Sequence, residues 1–309
     1  MTEILPFVPE AEGGHFLLRV RKQDCNTEWV AGELARRAGC RPRDVGYAGL
    51  KDRRAVAVQH FTVPADHLGG DPRKWSGAGW AVEAAERARK KLKRGALGGN
   101  RFELLLRVPA RARWVVAAGF ERALRRGVPN YFGPQRFGRR GGNLEGARRL
   151  FAGEGPRGRH KRGLYLSAAR AYLFNRVVAA RVRAGSWDRL QPGEVAVFHG
   201  KASGFVVDRP AAEHGRWSQG IIHPSAPMPG RDGLAPAGEA LVLEEEVLAG
   251  DRDLVDGLAE AGVDARRRPT RLTLEAGGWR MESRGLWLDF TLPAGAFATA
   301  VVRELIRSR

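Results

Sequence analysis

Hydrophobic and polar positions change period several times along the chain. Residues 15–22, HFLLRVRK, alternate apolar with basic positions and predict a strand. The stretch NTEWVAGELARRAGC then places Val30, Leu34 and Ala38 at helical spacing, with Asn26 or Thr27 as cap, Glu28 in the first turn and Gly39 as stop. Residues 46–63, GYAGLKDRRAVAVQHFTV, read as strand, charged turn and strand. FELLLRV at 102–108 predicts another strand, and WVVAAGFERALRRG at 114–127 an amphipathic helix closed by glycine.

After VPNYFGPQRFG the pattern lapses, because residues 138–163 are nearly all arginine, glycine and a few apolar side chains. Helical periodicity returns in SAARAYLFNRVVAARVRAG, 167–185. HPSAPMPGRDGLAPAG, 223–238, is expected to be a long Pro/Gly-rich connection. A helix-prone acidic piece covers 244–262, strands resume over 270–293, and the helix ATAVVRELIRS, 298–308, ends the chain. Neither an internal repeat nor a coiled coil is visible. Strand-rich ends around a different middle predict a mixed α and β protein whose two ends build one sheet and whose middle is an inserted domain.

Charge narrows the partners. The 309 residues hold 53 Lys and Arg against 34 Asp and Glu, a net +19. Coding bias explains why only eight of these cations are lysines, but not the excess of cations over acids. Such a field favours a polyanion. Nucleic acid leads over an anionic membrane surface, since arginine's planar fork suits phosphate and stacks on bases and no basic amphipathic helix argues for the membrane. Cys25 and Cys40 form no CxxC and suggest a reducing cytosol. The seven histidines show no metal-ligand spacing. The start, MTEILPFVPEAEGG, lacks the basic and apolar parts of a signal peptide, and no stretch approaches a membrane span, so a soluble cytoplasmic protein is expected.

Four stretches could carry chemistry. In LKDRR, Asp52 stands among Lys51, Arg53 and Arg54, which would favour its ionised form. Such a carboxylate is a poor general base but a reasonable nucleophile or electrostatic stabiliser; on charge alone, a solvated turn is the commoner reason for the run. RARKKLKRGALGGNRFELLLR, 87–107, combines phosphate-seeking cations, glycines that admit close backbone approach, and Asn100 and Phe102 at a strand edge, where the aromatic could stack on an extruded base or be plain core. VPNYFGPQRFGRRGGN, 128–143, interleaves aromatics and arginines as an RNA-facing surface or an aromatic-anchored junction. LPAGAFATAVVREL, 292–305, sets Phe297 before a helix capped near Thr299 and bearing Arg303. A second stacking ring with a charge partner, or a hydrophobic staple, fits it.

YAGLKDRRAV, KLKRGALGGNRF, VPNYFGPQRFG with the later LSAARAYLFN, and LPAGAFATAVVREL together resemble, in order, the signature stretches of the TruD family of tRNA pseudouridine synthases. The resemblance covers nearly the whole chain. It implies isomerisation of uridine to pseudouridine in tRNA, at uridine 13, with neither cofactor nor metal. It implies Asp52 as the catalytic aspartate, with Lys51 and Arg53 near the RNA backbone, Asn100 and Phe102 at the active site, and Phe297 as a second substrate-contacting aromatic. Arg303 is the candidate basic partner of the aspartate. The implied fold is α+β: a pseudouridine-synthase catalytic domain with a mixed or antiparallel sheet, residues 1–126 and 272–309, plus an inserted α/β TruD domain, 127–271. A monomer is expected.

Family members usually have a further upstream segment with a DF motif whose Phe contacts substrate. This chain begins within the strand that should follow it, which predicts weakened substrate binding relative to a version restored upstream. The rival from another class is a non-catalytic RNA-binding or RNA-folding protein. A carboxylate retained among phosphate-seeking cations argues against it. A nuclease or phosphotransferase would want clustered acids for Mg²⁺ beside the basic motifs, and none is there.

Overall fold

A computed structural model of the chain describes residues 1–9, 12–66, 68, 70–156 and 158–307. In chain order the strands are β1 (Thr2–Ile4), β2 (His15–Lys22), β3 (Gly46–Tyr47), β4 (Ala57–Pro64), β5 (Ser76–Gly77), β6 (Trp80–Ala88), β7 (Gly99–Leu106), β8 (Val128–Pro129), β9 (Val195–Phe198), β10 (Gly204–Val206), β11 (Ile222–Met228), β12 (Arg266–Pro269), β13 (Arg271–Leu272), β14 (Glu275–Glu282) and β15 (Gly285–Pro293). The helices are α1 (Thr27–Arg37), α2 (Arg113–Arg126), α3 (Gly142–Arg149), α4 (Arg159–Arg183), α5 (His214–Ser218), α6 (Gly238–Leu248), α7 (Arg252–Glu260) and α8 (Ala298–Arg307). The chain divides into two compact units, residues 1–110 with 275–295 and residues 111–274 with 296–309.

The first unit is built on a nine-stranded sheet in the order β14-β15-β7-β1-β4-β2-β6-β5, with β3 beside β4. Only the β1–β4 pair is parallel among the pairings described, so the sheet is mixed and the class is α+β, as expected. Alternation in β2 sends Leu18 and Val20 to the face covered by α1, where they pack with Phe61 and Val63 of β4 and Val30 and Leu34 of the helix. α1 stops where anticipated, with Gly39 at φ 63°. Asn26 occupies its cap position but makes no side-chain capping bond.

The second unit has a four-stranded sheet, β10-β9-β11-β12, and a separate β8–β13 pair. The long α4 buries Leu173, Phe174, Val177 and Val178, which pack with Leu254 and Leu258 of α7. Three local expectations change here. Residues 222–228 form strand β11 between β9 and β12, although Pro224 and Pro227 lie in it. The prolines lack N–H donors but keep their carbonyls, and Pro224 accepts the Thr270 N–H at 2.9 Å. α4 starts at Arg159, well before the apolar periodicity, because the intervening arginines and lysine are good helix formers on a solvated face. α8 starts at Ala298, so Thr299 lies inside its first turn; Ser308, expected at its end, lies outside the described residues.

The expected domain boundaries at 126/127 and 271/272 do not coincide with the edges of these units. α2 and α8, expected with the terminal portions, pack on each other and α8 packs on β8, so both cluster with the central part of the chain. Their apolar positions, including Phe120, Val301 and Leu305, are buried there. Among the described residues, no helix is long and apolar enough to cross a membrane.

Candidate active site

LKDRR occupies the loop between β3 and β4. Its entry is fixed at Gly46, where an added Cβ would lie 2.4 Å from the Leu92 carbonyl oxygen. From beneath, buried polar side chains tether the loop backbone. Gln59 of β4 donates through Nε2 to the Gly49 carbonyl at 2.7 Å, and its Oε1 accepts the Thr27 hydroxyl at 3.0 Å. Thr27 Oγ1 in turn accepts the Lys51 N–H at 3.0 Å. The hydroxyl that could have capped α1 thus serves the loop.

Lys22 is the second tether. Strand alternation places it on the face of Leu18 and Val20, and it is 0% exposed. Its Nζ donates to the Cys25 carbonyl at 2.8 Å and to the Asp52 carbonyl at 3.1 Å. Burial lowers the pKa of this lysine, against the attraction of Cys25 and Asp52. A buried ammonium therefore holds the backbone of Asp52.

Lys51, expected near RNA phosphate, turns inward instead. Its side chain is 4% exposed, and its Nζ lies 2.9 Å from Glu3 Oε1 and 2.7 Å from Asn100 Oδ1. Glu3 of β1 and Asn100 of β7 are direct cross-strand partners, so they share a face and one ammonium reaches both. Glu3 Oε2 also accepts the His60 N–H at 2.7 Å. Burial pushes the Glu3 carboxyl up, but the His60 bonds and the Lys51 charge outweigh it and hold the carboxyl below the usual value. Because an ammonium only donates, the Asn100 atom facing it must be the amide oxygen, and Nδ2 keeps its two N–H donors. The triad therefore sets the direction of an amide.

Asp52 itself is exposed, and its Oδ1 accepts the Arg54 N–H at 3.0 Å. Among the described residues, no side-chain ion pair joins it to the cations beside it in sequence. Lys51 is engaged with Glu3 and Asn100, and the exposed Arg53 gives Nε to the Asp24 carbonyl at 3.1 Å. Two residues beyond Asn100 on the same face, the partly exposed Phe102 ring stacks on buried Phe290, centroids 5.7 Å apart and planes 26° apart. On the opposite face Arg101 donates Nε to Asp289 at 2.9 Å, which helps hold β7 to β15.

Lys51, Asp52, Asn100 and Phe102 are thus linked within the first unit, with Arg53 on the same loop. Phe297 and Arg303 belong to the second unit. Phe297 packs with the cluster around α4, 6.4 Å from the Phe132 ring, and Arg303 lies 5.7 Å over Tyr131, so both meet the VPNYFGPQRFG segment. Sequence reasoning missed Lys22, Glu3, Thr27 and Gln59. Only Lys22 had a signal, its in-phase position with Leu18 and Val20. The described residues contain no group of three or more His, Cys, Asp or Glu placed to hold a metal ion.

A family model for tRNA pseudouridine synthase D (TruD) matches residues 2–150 and 159–305. The chain is 45% identical to a tRNA pseudouridine synthase D of Methylococcus capsulatus over 320 aligned positions, covering 99% of this chain and 88% of that protein. Against the protein of the same name from Nitrosococcus oceani the identity is 44%, covering 100% of this chain and 88% of the relative. A crystal structure of a tRNA pseudouridine synthase D (TruD), described as putative, from Methanosarcina mazei superposes with a TM-score of 0.77 at 21% identity, covering 99% of this chain and 91% of that one. That likeness extends the α+β class to a specific fold. With the match spread over both units and across all four motif stretches, the chain belongs to the tRNA pseudouridine synthase D family.

Proposed function

We propose that this chain isomerises uridine to pseudouridine in tRNA, at uridine 13, with Asp52 as the catalytic carboxylate. In this reading the first unit is the catalytic portion and the second, with α2 and α8, the family-specific portion. The observation that carries it is the exposed Asp52 carboxylate on a loop held by Lys22, Gln59, Thr27 and Lys51, whose Lys51 also orients Asn100 next to Phe102. Tethers of this kind reduce the motion of a reacting group, which supports orientation in catalysis.

The chemistry exchanges one bond to the ribose for another. The C1′–N1 bond breaks, the base turns, and C1′–C5 forms; C5 loses its proton and N1 gains one, so the product is an isomer and no oxidant or external energy is required. Uracil must leave its stack to turn. Phe102, backed by Phe290, offers a face for the extruded ring. Asn100 Nδ2 offers donors to carbonyl oxygens of the base or to ribose oxygen. A carboxylate can assist by adding to C6 of uracil or by taking a proton from the ribose, and either role needs a group the substrate can reach.

The test is tritium release from a tRNA transcript carrying 5-tritiated uridine, because forming the C5 bond expels the label. Wild type is expected to release it and Asp52→Asn to release none, with tRNA binding retained in both. Binding without release by wild type would leave a protein that only binds RNA.

A further inference from the structure

The second unit holds a strongly basic cavity that this reading does not use. The last turns of α2 place Arg122, Arg125 and Arg126 at i, i+3 and i+4, on one face. With Arg189, Arg271 of β13, Trp217 and Asp188 they line a cavity of about 410 Å³. Five guanidinium groups meet one carboxylate there, and Asp188 is already engaged by Nε and Nη2 of Arg126. Outside the cavity Glu304 adjoins Arg122 and Arg126, and Glu121 lies 3.8 Å from Arg125 on the exposed side. Positive charge still exceeds negative when both acids, and the half-charge of a helix C-terminus, are counted.

Arg271 marks the cavity as more than a solvated arginine face. It is 9% exposed, gives Nε to the Arg126 carbonyl at 2.8 Å and lies 5.3 Å over the Trp217 ring, itself pinned by its indole N–H on the Asp188 carbonyl. Its Nη1 is buried with no hydrogen-bond partner among the described residues. A buried donor on a cation is costly without an acceptor, and the described residues supply none.

We infer that this cavity binds a phosphodiester segment of RNA, making the second unit a phosphate-contacting surface in its own right. Planar guanidinium forks match the paired oxygens of a phosphate, and Trp217 adds a partly exposed aromatic face beside them. The choice of RNA over another anion rests on the function proposed above.

The experiment measures the Kd of a tRNA transcript across a NaCl series for wild type and for the triple variant Arg122→Gln, Arg125→Gln, Arg189→Gln. All three side chains are exposed, and thermal melting verifies folding. Each lost phosphate contact reduces the slope of log Kd against log salt by about 0.7–0.9, so the triple variant should lose roughly two units of slope and at least tenfold in affinity. Tritium release at saturating tRNA should stay within about twofold. The control is Arg183→Gln, Arg209→Gln, Arg252→Gln, three exposed arginines of the same unit outside the cavity. An unchanged slope, or an equal loss in the control, would overturn the inference while tritium release by wild type keeps the proposed function standing. Slope loss specific to the cavity, in a wild type that releases no tritium, would uphold the cavity and remove the function.

Discussion

Glu3 and Lys51 meet at 2.9 Å with side chains 0% and 4% exposed, so neither charge has water to fall back on. Lys51→Met leaves the Glu3 carboxylate buried and is expected to cost roughly 3–5 kcal/mol in urea unfolding. Adding Glu3→Gln removes the stranded charge and keeps an acceptor for the His60 N–H, so much of that stability should return. Tritium release should stay depressed by tenfold or more in the double variant, because Asn100 has lost the ammonium that directs its amide. Full recovery of activity with stability would mean that the pair acts on folding alone. Lys22→Met tests the other tether: kcat should fall at least tenfold with KM little changed, since the Asp52 backbone loses its donor while Asn100 and Phe102 stay in place.

At the scale of elements, the β7–β15 pair sets the platform for the base. Phe290 is 1% exposed and opposes Phe102 in register, so the ring offered to substrate is backed by a ring of the core. Phe290→Ala should cost about 3–5 kcal/mol and also raise KM for tRNA, because Phe102 loses its backing. Phe102→Leu should raise KM with a much smaller fall in melting temperature. Equal KM in wild type and both variants would remove Phe102 from the binding surface. The same pairing explains the second glycine of GGN: an added Cβ on Gly99 would lie 2.7 Å from the Leu292 carbonyl oxygen, so β7 and β15 could not approach as they do.

For the whole molecule, acid should weaken the fold by way of His223 in the second unit. This residue is 2% exposed, lies 3.0 Å from His199 Nδ1 through its Nε2, and has its pKa pushed down to about 4 by burial, then by His199 and Arg271. Between its ordinary value and about 4 the unfolded chain takes up a proton that the folded chain refuses. Stability should therefore fall as the pH drops through that window, by about 3 kcal/mol for a shift of this size. Glu3 acts in the same direction: its lowered carboxyl contributes stability at neutral pH that is lost as pH falls through its folded value. The difference between wild type and His223→Gln in urea unfolding at pH 7 and pH 4.5 isolates the histidine. An acid dependence identical in the two would exclude it.

Much of this protein could be read from order along the chain. Local periodicity located β2, α1, α2 and the strands of 270–293, since alternation and helical spacing are properties of neighbouring residues. The motifs Asp52, Asn100 and Phe102 were legible as residue types, as was the polyanion-seeking charge. Elements without a local signature escaped. The Ala-rich β6 and the proline-bearing β11 are strands because a sheet receives them, and no window of sequence contains that sheet. The same reason governs the site. Glu3, Lys51 and Asn100 are far apart in sequence, and only pairing β1 against β7 brings two of them into register under the ammonium of the third. Sequence alone determined which groups the chain carries and the local periods it can adopt. Tertiary structure decided which charges lose their water, because desolvation depends on what packs around a side chain rather than on what precedes it: of the four charges in KDRR, one is buried as a strut and the others, Asp52 among them, are left facing solvent.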